Sequence, residues 1–207
     1  MRLHKKTILF GGSFDPIHTG HLRVAHHAMG ELVADEVIFI PARRSPHKTD
    51  SPTLGCHRFA MIAKAIDDFD GFSVSDCELL RSEPSYTLDT VRFFREQLGS
   101  DVVLHWLIGA DQLADLEKWY RVGDLLNECR ISAMVRAGYP PPDFGRFAEV
   151  FSPEIISQLK DDIVQTPQID LSSTEIRRQL SSGGVPTNTL STGILEYIAE
   201  HRLYGFV

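Results

Sequence analysis

Apolar residues along the chain fall into two rhythms that alternate from end to end. Short, mainly apolar runs at 7–10 and 37–40 read as buried strands, and those at 72–74, 102–108, 131–135 and 163–166 as further strands. Between them, apolar side chains recur at offsets of three and four. Leu22, Ala25, Met29, Leu32 and Val33 mark one helical face. Phe59, Ile62, Ala63 and Ile66 mark a second, and Leu88, Val91, Phe94 and Leu98 a third. A further helix is predicted to start at Ser172, with Glu175 three residues later completing a capping box. Strands that alternate with helices predict repeated βα units. Right-handed crossovers then place helices on both faces of a parallel sheet. The expected fold class is α/β, a doubly wound parallel sheet with helices on both faces. It forms one domain over residues 1–207, with the helices of about 172–207 as a C-terminal helical subregion. Residues 138–145, with three consecutive prolines, and 181–193, rich in Ser, Thr and Gly, read as connections.

Composition narrows the function classes. With 207 residues, 43% hydrophobic and 24% charged, the chain is of globular type. A formal net charge of -7 disfavours generic nucleic-acid binding, yet leaves room for a locally basic pocket that takes a small anion. Cys56, Cys77 and Cys129 are few, odd in number and widely spaced, which argues for reduced thiols rather than a disulfide framework. No signal-peptide core and no apolar run of roughly 18 residues is found, so a soluble cytoplasmic protein without membrane attachment is expected.

In a doubly wound sheet, ligands bind at the carboxyl ends of the strands. The first strand ends in Gly11-Gly12-Ser13-Phe14-Asp15-Pro16-Ile17-His18-Thr19-Gly20-His21. Neither common glycine-rich phosphate fingerprint is present, but the physics of a phosphate site is. Gly11 and Gly12 admit close backbone approach, and a following helix aims free N–H groups at an anion. His18 and His21, three apart, share a face and can donate to phosphoryl oxygens. Zinc ligation by these histidines is disfavoured, because HExxH and suitably spaced Cys or acidic ligands are missing. His26 and His27 read as surface or partly packed positions. A second strand end leads into Arg43, Arg44, His47 and Lys48, of which His47 and Lys48 are the stronger anion contacts. Asp111, just past the strand at 102–108, reads as a helix cap or as a ribose contact. Trp119 reads as core or as a stacking platform for a heteroaromatic ring. Arg177, at the predicted helix start, suits a second anion site.

The stretch GGSFDPIHTGH, the PHK loop, GAD followed by Trp, the segment 84–90 and SSTEIR together resemble the HxGH nucleotidyltransferases. Closest among these are the bacterial nicotinate-nucleotide adenylyltransferases. The resemblance runs from Ile8 through Arg177 and implies a Rossmann-like fold. It implies that His18 and His21 hold the ATP phosphates, that backbone around Gly12, Ser13 and Phe14 lines the same pocket, and that Ser172, Ser173 and Arg177 close it. His18, His21 and Arg177 are the implied catalytic residues. Asp111 would lie beside nucleotide sugar or phosphate, and Lys48 with His47 would meet phosphate. Thr87 and Tyr120 would offer backbone groups to the nicotinate carboxylate while Trp119 stacks on the pyridine ring. Mg²⁺ would ride on the triphosphate rather than in a protein cage. The chain departs from the family at Leu190-Ser191-Thr192-Gly193, where a Pro often precedes the last helix.

The implied reaction is in-line attack of the nicotinate mononucleotide 5′-phosphate on the α-phosphorus of ATP, giving deamido-NAD and pyrophosphate. Its partners are these two small molecules, with no nucleic acid and no membrane; a homo-oligomer is left open. Two alternatives stay in play. One is adenylyl transfer to nicotinamide mononucleotide or another phosphate acceptor. The other is a nucleotide sensor that does no chemistry.

Overall fold

The computed structural model describes residues 4–44, 53–136, 142–166 and 171–206. Their strands are β1 (Lys6–Gly12), β2 (Glu36–Pro41), β3 (Phe72–Val74), β4 (Val103–Gly109), β5 (Arg130–Arg136) and β6 (Ile163–Thr166). All pair in parallel, in the order β3-β2-β1-β4-β5-β6. The helices are α1 (Thr19–Glu31), α2 (Gly55–Ile66), α3 (Cys77–Leu80), α4 (Thr87–Leu98), α5 (Ala110–Leu113), α6 (Val122–Glu128), α7 (Pro153–Asp161), α8 (Ser173–Ser181) and α9 (Thr192–Glu200). Short 3-10 turns cover Leu116–Lys118, Gly145–Glu149 and Leu203–Gly205. This is the α/β doubly wound sheet that the alternating pattern predicts.

Strand alternation sends successive side chains to opposite faces and so builds two cores. Ile8, Phe10, Val37 and Phe39 point into one, where Leu22, Ala25, Met61, Ile62, Ile176, Ile194 and Ile198 cover them from α1, α2, α8 and α9. Leu9, Ile38, Ile40 and Trp106 point into the other, under Leu88, Val91, Leu113, Leu125 and Leu159 from α4, α5, α6 and α7. The direction of winding reverses between β1 and β4, which lie side by side. A crevice opens beyond their carboxyl ends, the general ligand position in such sheets.

Several expectations need correction. β1 does not stop before its glycines: Gly11 pairs with Ile40 and Gly12 with Pro41, so both belong to the sheet. A Cβ at Gly11 would stand 2.5 Å from the Trp106 ring, so only glycine fits there. Asp111 does not cap α5. The chain turns straight out of β4, Gly109 takes the cap position, and its N–H donates to Gln112 Oε1 at 3.3 Å. Ser172 does occupy the cap of α8, but its hydroxyl caps nothing. The expected box fails because Arg178 and Gln179 draw Glu175 along the helix, with Arg178 bonding it at 2.6 and 2.8 Å. The connection predicted at 181–193 matches the gap between α8 and α9. Residues 138–141 of the proline-rich loop at 138–145 lie outside the described residues, as do His47 and Lys48.

Candidate active site

The residues after β1 have no repeating backbone structure, so their shape is imposed by contacts from elsewhere in the chain. Phe14 adopts a left-handed backbone at φ 46°, which a bulky side chain rarely takes. Its ring is buried and meets Phe10 at 5.3 Å, Phe39 at 5.7 Å and His21 at 5.1 Å. Phe14 is thus a plug under the first turn of α1 as well as a backbone position beside the strand end. His18 caps α1, and its N–H donates to Nδ1 of His21 at 3.3 Å. That bond makes Nδ1 of His21 an acceptor and puts the neutral ring's proton on Nε2. The two imidazoles stack at 3.8 Å with 27° between their planes. His18 is 5% exposed, and its Nδ1 has no partner among the described residues. Burial holds its pKa down at about 4, against a raising effect from its own backbone. It is therefore a neutral ring near pH 7. His26 is exposed and His27 half-buried on the outer part of α1, as expected of positions outside the site.

Arg177 and Ser173 reach the same loop from α8. Arg177 Nη1 donates to the main-chain carbonyl of Asp15 at 2.7 Å, and Ser173 Oγ donates to that of Pro16 at 3.0 Å. The sequence reading missed Arg58. This arginine is 1% exposed in the first turn of α2 and donates to the carbonyls of Ser13 at 2.7 Å and Thr53 at 2.8 Å. Burial pulls its pKa below the ordinary arginine value, and the negative charge of Asp15 works against that shift. The only advance signal was a single charge on an otherwise apolar helix face.

A cavity of about 380 Å³ opens on the other side of Gly12 and Ser13. Gly12, Ser13, Thr87, Trp119 and Tyr120, all expected site residues, line it together. Glu78, Ser85, Tyr86, Trp106, Gln112 and Lys118 also line it, and composition or spacing had not singled these out. Trp119 follows a 3-10 turn rather than lying in a helix, is half-buried, and packs against the second core with part of its surface left to the cavity. Tyr120 stacks on Tyr86 at 4.3 Å and 24°. The first turn of α4 follows directly, with no side chain capping its N–H groups.

Glu78 is the buried charge of this cavity. Burial raises its pKa, partly offset by the Thr90 hydroxyl that donates to Oε1 at 2.6 Å. Arg81 in turn donates to Thr90 Oγ1 at 2.7 Å. The predicted residues therefore form two groups that meet at Gly12–Ser13. His18, His21, Ser173 and Arg177 gather around the loop, while Thr87, Trp119 and Tyr120 gather around the cavity. Asp111 is exposed at the start of α5, one residue before Gln112 of the cavity wall, and Ser172 is exposed at the cap of α8.

The chain as a whole is similar to described proteins. The cytidylyltransferase-like family profile matches residues 9–179. The chain is 38% identical over 200 residues to a Neisseria meningitidis protein named "Probable nicotinate-nucleotide adenylyltransferase", covering 97% of this chain and 98% of that one. A Laribacter hongkongensis protein of the same name is 35% identical over 207 residues, covering 95% and 93%. Among solved structures, Plasmodium falciparum nicotinic acid mononucleotide adenylyltransferase complexed with NaAD superimposes with a TM-score of 0.73 at 21% identity, over 99% of both chains. At that identity the likeness speaks for the fold.

Proposed function

The chain belongs to the cytidylyltransferase-like family and, within it, to the nicotinate-nucleotide adenylyltransferases. From that membership we infer that it transfers the adenylyl group of ATP to nicotinate mononucleotide, giving nicotinate adenine dinucleotide and pyrophosphate in NAD biosynthesis. The observation that carries the reading is the meeting of two compartments at Gly12–Ser13. A histidine pair with N–H donors lies on one side, and a cavity walled by aromatic rings lies on the other.

In this reading His18 and His21 donate to the triphosphate, and backbone at Gly12, Ser13 and Phe14 lines its path. Ser172, Ser173 and Arg177 close the pocket from α8. Asp111 meets nucleotide sugar or phosphate at the boundary, and His47 with Lys48 takes the acceptor phosphate. Trp119 stacks on the pyridine ring, while the backbones of Thr87 and Tyr120 receive its carboxylate. Among the described residues no group of three or more His, Cys, Asp or Glu side chains is placed to hold a metal ion. The divalent ion in this reading is Mg²⁺ arriving with the triphosphate, as part of the substrate.

The acceptor phosphate oxygen forms a bond to the α-phosphorus as the bond to the bridging α–β oxygen breaks, and pyrophosphate carries that electron pair away. The nucleophile is already an anion, so the reaction needs no general base. What the protein supplies is alignment, which in well-oriented reactions is worth roughly 7–11 kcal/mol, and donors for the charge that develops on the phosphoryl oxygens. Among the described residues no helix is long and apolar enough to cross a membrane.

The test is a product assay. The purified protein is given MgATP and one acceptor at a time: nicotinate mononucleotide, nicotinamide mononucleotide or phosphopantetheine. Dinucleotide mass and released pyrophosphate are read together. Preference for nicotinate mononucleotide is the expected result. Preference for another acceptor would overturn the substrate, and ATP binding without product would turn the reading to a sensor.

A further inference from the structure

Asp15 sits in the loop that leads to His18, and the bonds around it come from three distant parts of the chain. Its Oδ1 accepts the Tyr204 hydroxyl at 2.7 Å, from 189 positions away. Its Oδ2 accepts the Thr53 N–H at 3.1 Å. Its main-chain carbonyl takes Arg177, and the neighbouring carbonyls of Pro16 and Ser13 take Ser173 and Arg58. Asp15 itself is 7% exposed. A loop without a repeating backbone thus has its shape fixed by five long-range hydrogen bonds. Of these, the bond from Tyr204 ties the residues beyond α9 to the site.

The backbone at Tyr204 supports a purpose for that bond. Tyr204 is left-handed at φ 58°, and Arg202 before it at φ 50°. Such conformations are unfavourable for residues with a β-carbon and persist only where surrounding contacts hold them. The turn they make points the phenol inward, packed against the first core, with its oxygen on Asp15. Burial, and after it the negative charge of Asp15, pushes the phenol pKa up, so the hydroxyl remains a donor at neutral pH. Tyr204 is not among the residues lining the cavity.

We propose that Tyr204 is a positioning residue for the triphosphate side of the site: it fixes the Asp15 carboxylate, and through Asp15 the turn that delivers His18 and His21. This rests on the adenylyltransferase reading above. It predicts an effect confined to one substrate. Losing the Tyr204 hydroxyl should loosen the loop and leave the Trp119 and Thr87 side intact.

The experiment is steady-state kinetics of Tyr204→Phe and Asp15→Asn, with each substrate varied in turn. Tyr204→Phe keeps the packed ring and removes one bond to a charged acceptor. We expect kcat to fall and the ATP KM to rise, together changing kcat/KM for ATP by about tenfold or more. The acceptor KM should stay within about twofold of wild type. The double variant should cost less than the sum of the two singles, since Asp15→Asn leaves one acceptor oxygen for the Tyr204 and Thr53 donors and so acts on the same small network. Unchanged constants for ATP in folded Tyr204→Phe would overturn the proposal. Equal rises in both KM values, or normal constants with only a smaller active fraction, would do the same, because they mark general loosening. Should Tyr204→Phe not fold, Asp15→Asn decides by the same criteria. If the wild-type protein makes no dinucleotide, the reaction reading fails, and calorimetric binding of a non-hydrolysable ATP analogue takes over. Weaker binding to Tyr204→Phe would then still support the positioning role, and equal binding would end it.

Discussion

The rings of His18 and His21 stack 3.8 Å apart because the His18 N–H bonds Nδ1 of His21 and closes the first turn of α1 around the pair. This contact sets both the tautomer and the direction of His21. The neutral ring then carries its proton on Nε2, the atom that the proposed reaction assigns to a phosphoryl oxygen. Replacing His21 by Ala removes one donor to developing charge, a change that costs about 10²–10³ in rate where such donors have been removed. The expected outcome is that loss in kcat with a circular-dichroism spectrum like wild type. Near-normal turnover in the folded variant would remove His21 from the reaction.

Trp119 serves the other compartment. It leaves a flank open to the cavity, opposite a face built by Tyr86 on Tyr120. Trp119→Ala should raise the acceptor KM by about tenfold or more, from loss of stacking and of buried surface. The ATP KM should hold. Initial-rate measurements with each substrate at saturation separate the two, and an unmoved acceptor KM would disprove the stacking role.

Gly11 offers a steric test of the same wall. An added methyl would stand 2.5 Å from the Trp106 ring, and the ring borders the cavity. Gly11→Ala must therefore displace Trp106 or bend β1. Overpacking of this kind costs about 1–3 kcal/mol. Urea unfolding should show a lowered midpoint with the slope retained, together with weakened acceptor use. A midpoint equal to wild type would mean the wall yields freely.

Acid should destabilise the fold through two buried rings. His18 and His105 are both held at about 4 by burial, His105 further by Arg130 and Lys6, from an ordinary value of 6.5. Between those two values the unfolded chain binds more protons than the folded one. Stability is thus complete above about pH 6.5 and falls as pH drops toward 4, by up to about 3 kcal/mol per ring. His105 bonds Ser132 Oγ at 2.9 Å deep in the sheet, far in sequence from the reacting loop. Replacing His105 by Gln, which cannot titrate, should flatten the decline in urea midpoint between pH 7 and 4.5. A wild-type midpoint constant over that range would contradict the assignment.

The sequence carried the fold well because the sheet is buried on both faces. The strands show as short, mainly apolar runs, and the longer covering helices as three-four stripes. It also carried the pairing of His18 and His21, because a three-residue spacing on the first turn of a helix brings two rings together. It failed where a role depends on a distant partner. Arg58 reads as a misplaced charge until the carbonyl of Ser13, 45 positions away, is seen to receive it. Glu78 has no local signal, since its cavity is built by α4 and the residues after β4. The capping box at Ser172 failed through competition: Arg178, as many residues from Glu175 as the cap is, offers the carboxylate two charged donors, and Gln179 adds a third. Asp111 was displaced from its expected cap by a strand that passes into a helix without a loop.

Because the sheet divides the interior into two cores, it would also separate the two recognition problems of the proposed site. The core that holds Phe14, Ile17 and Ile176 supports the histidine loop, and the core that holds Leu88, Leu113 and Leu116 supports the aromatic cavity. Substitutions that reshape one side are buffered from the other by a layer of hydrogen-bonded backbone. A scaffold of this kind can drift or be engineered toward a new acceptor by changes in the second core alone, while inheriting its adenylate chemistry unaltered. The converse holds as well: a library randomised at both cores at once would discard the independence that the strand order provides.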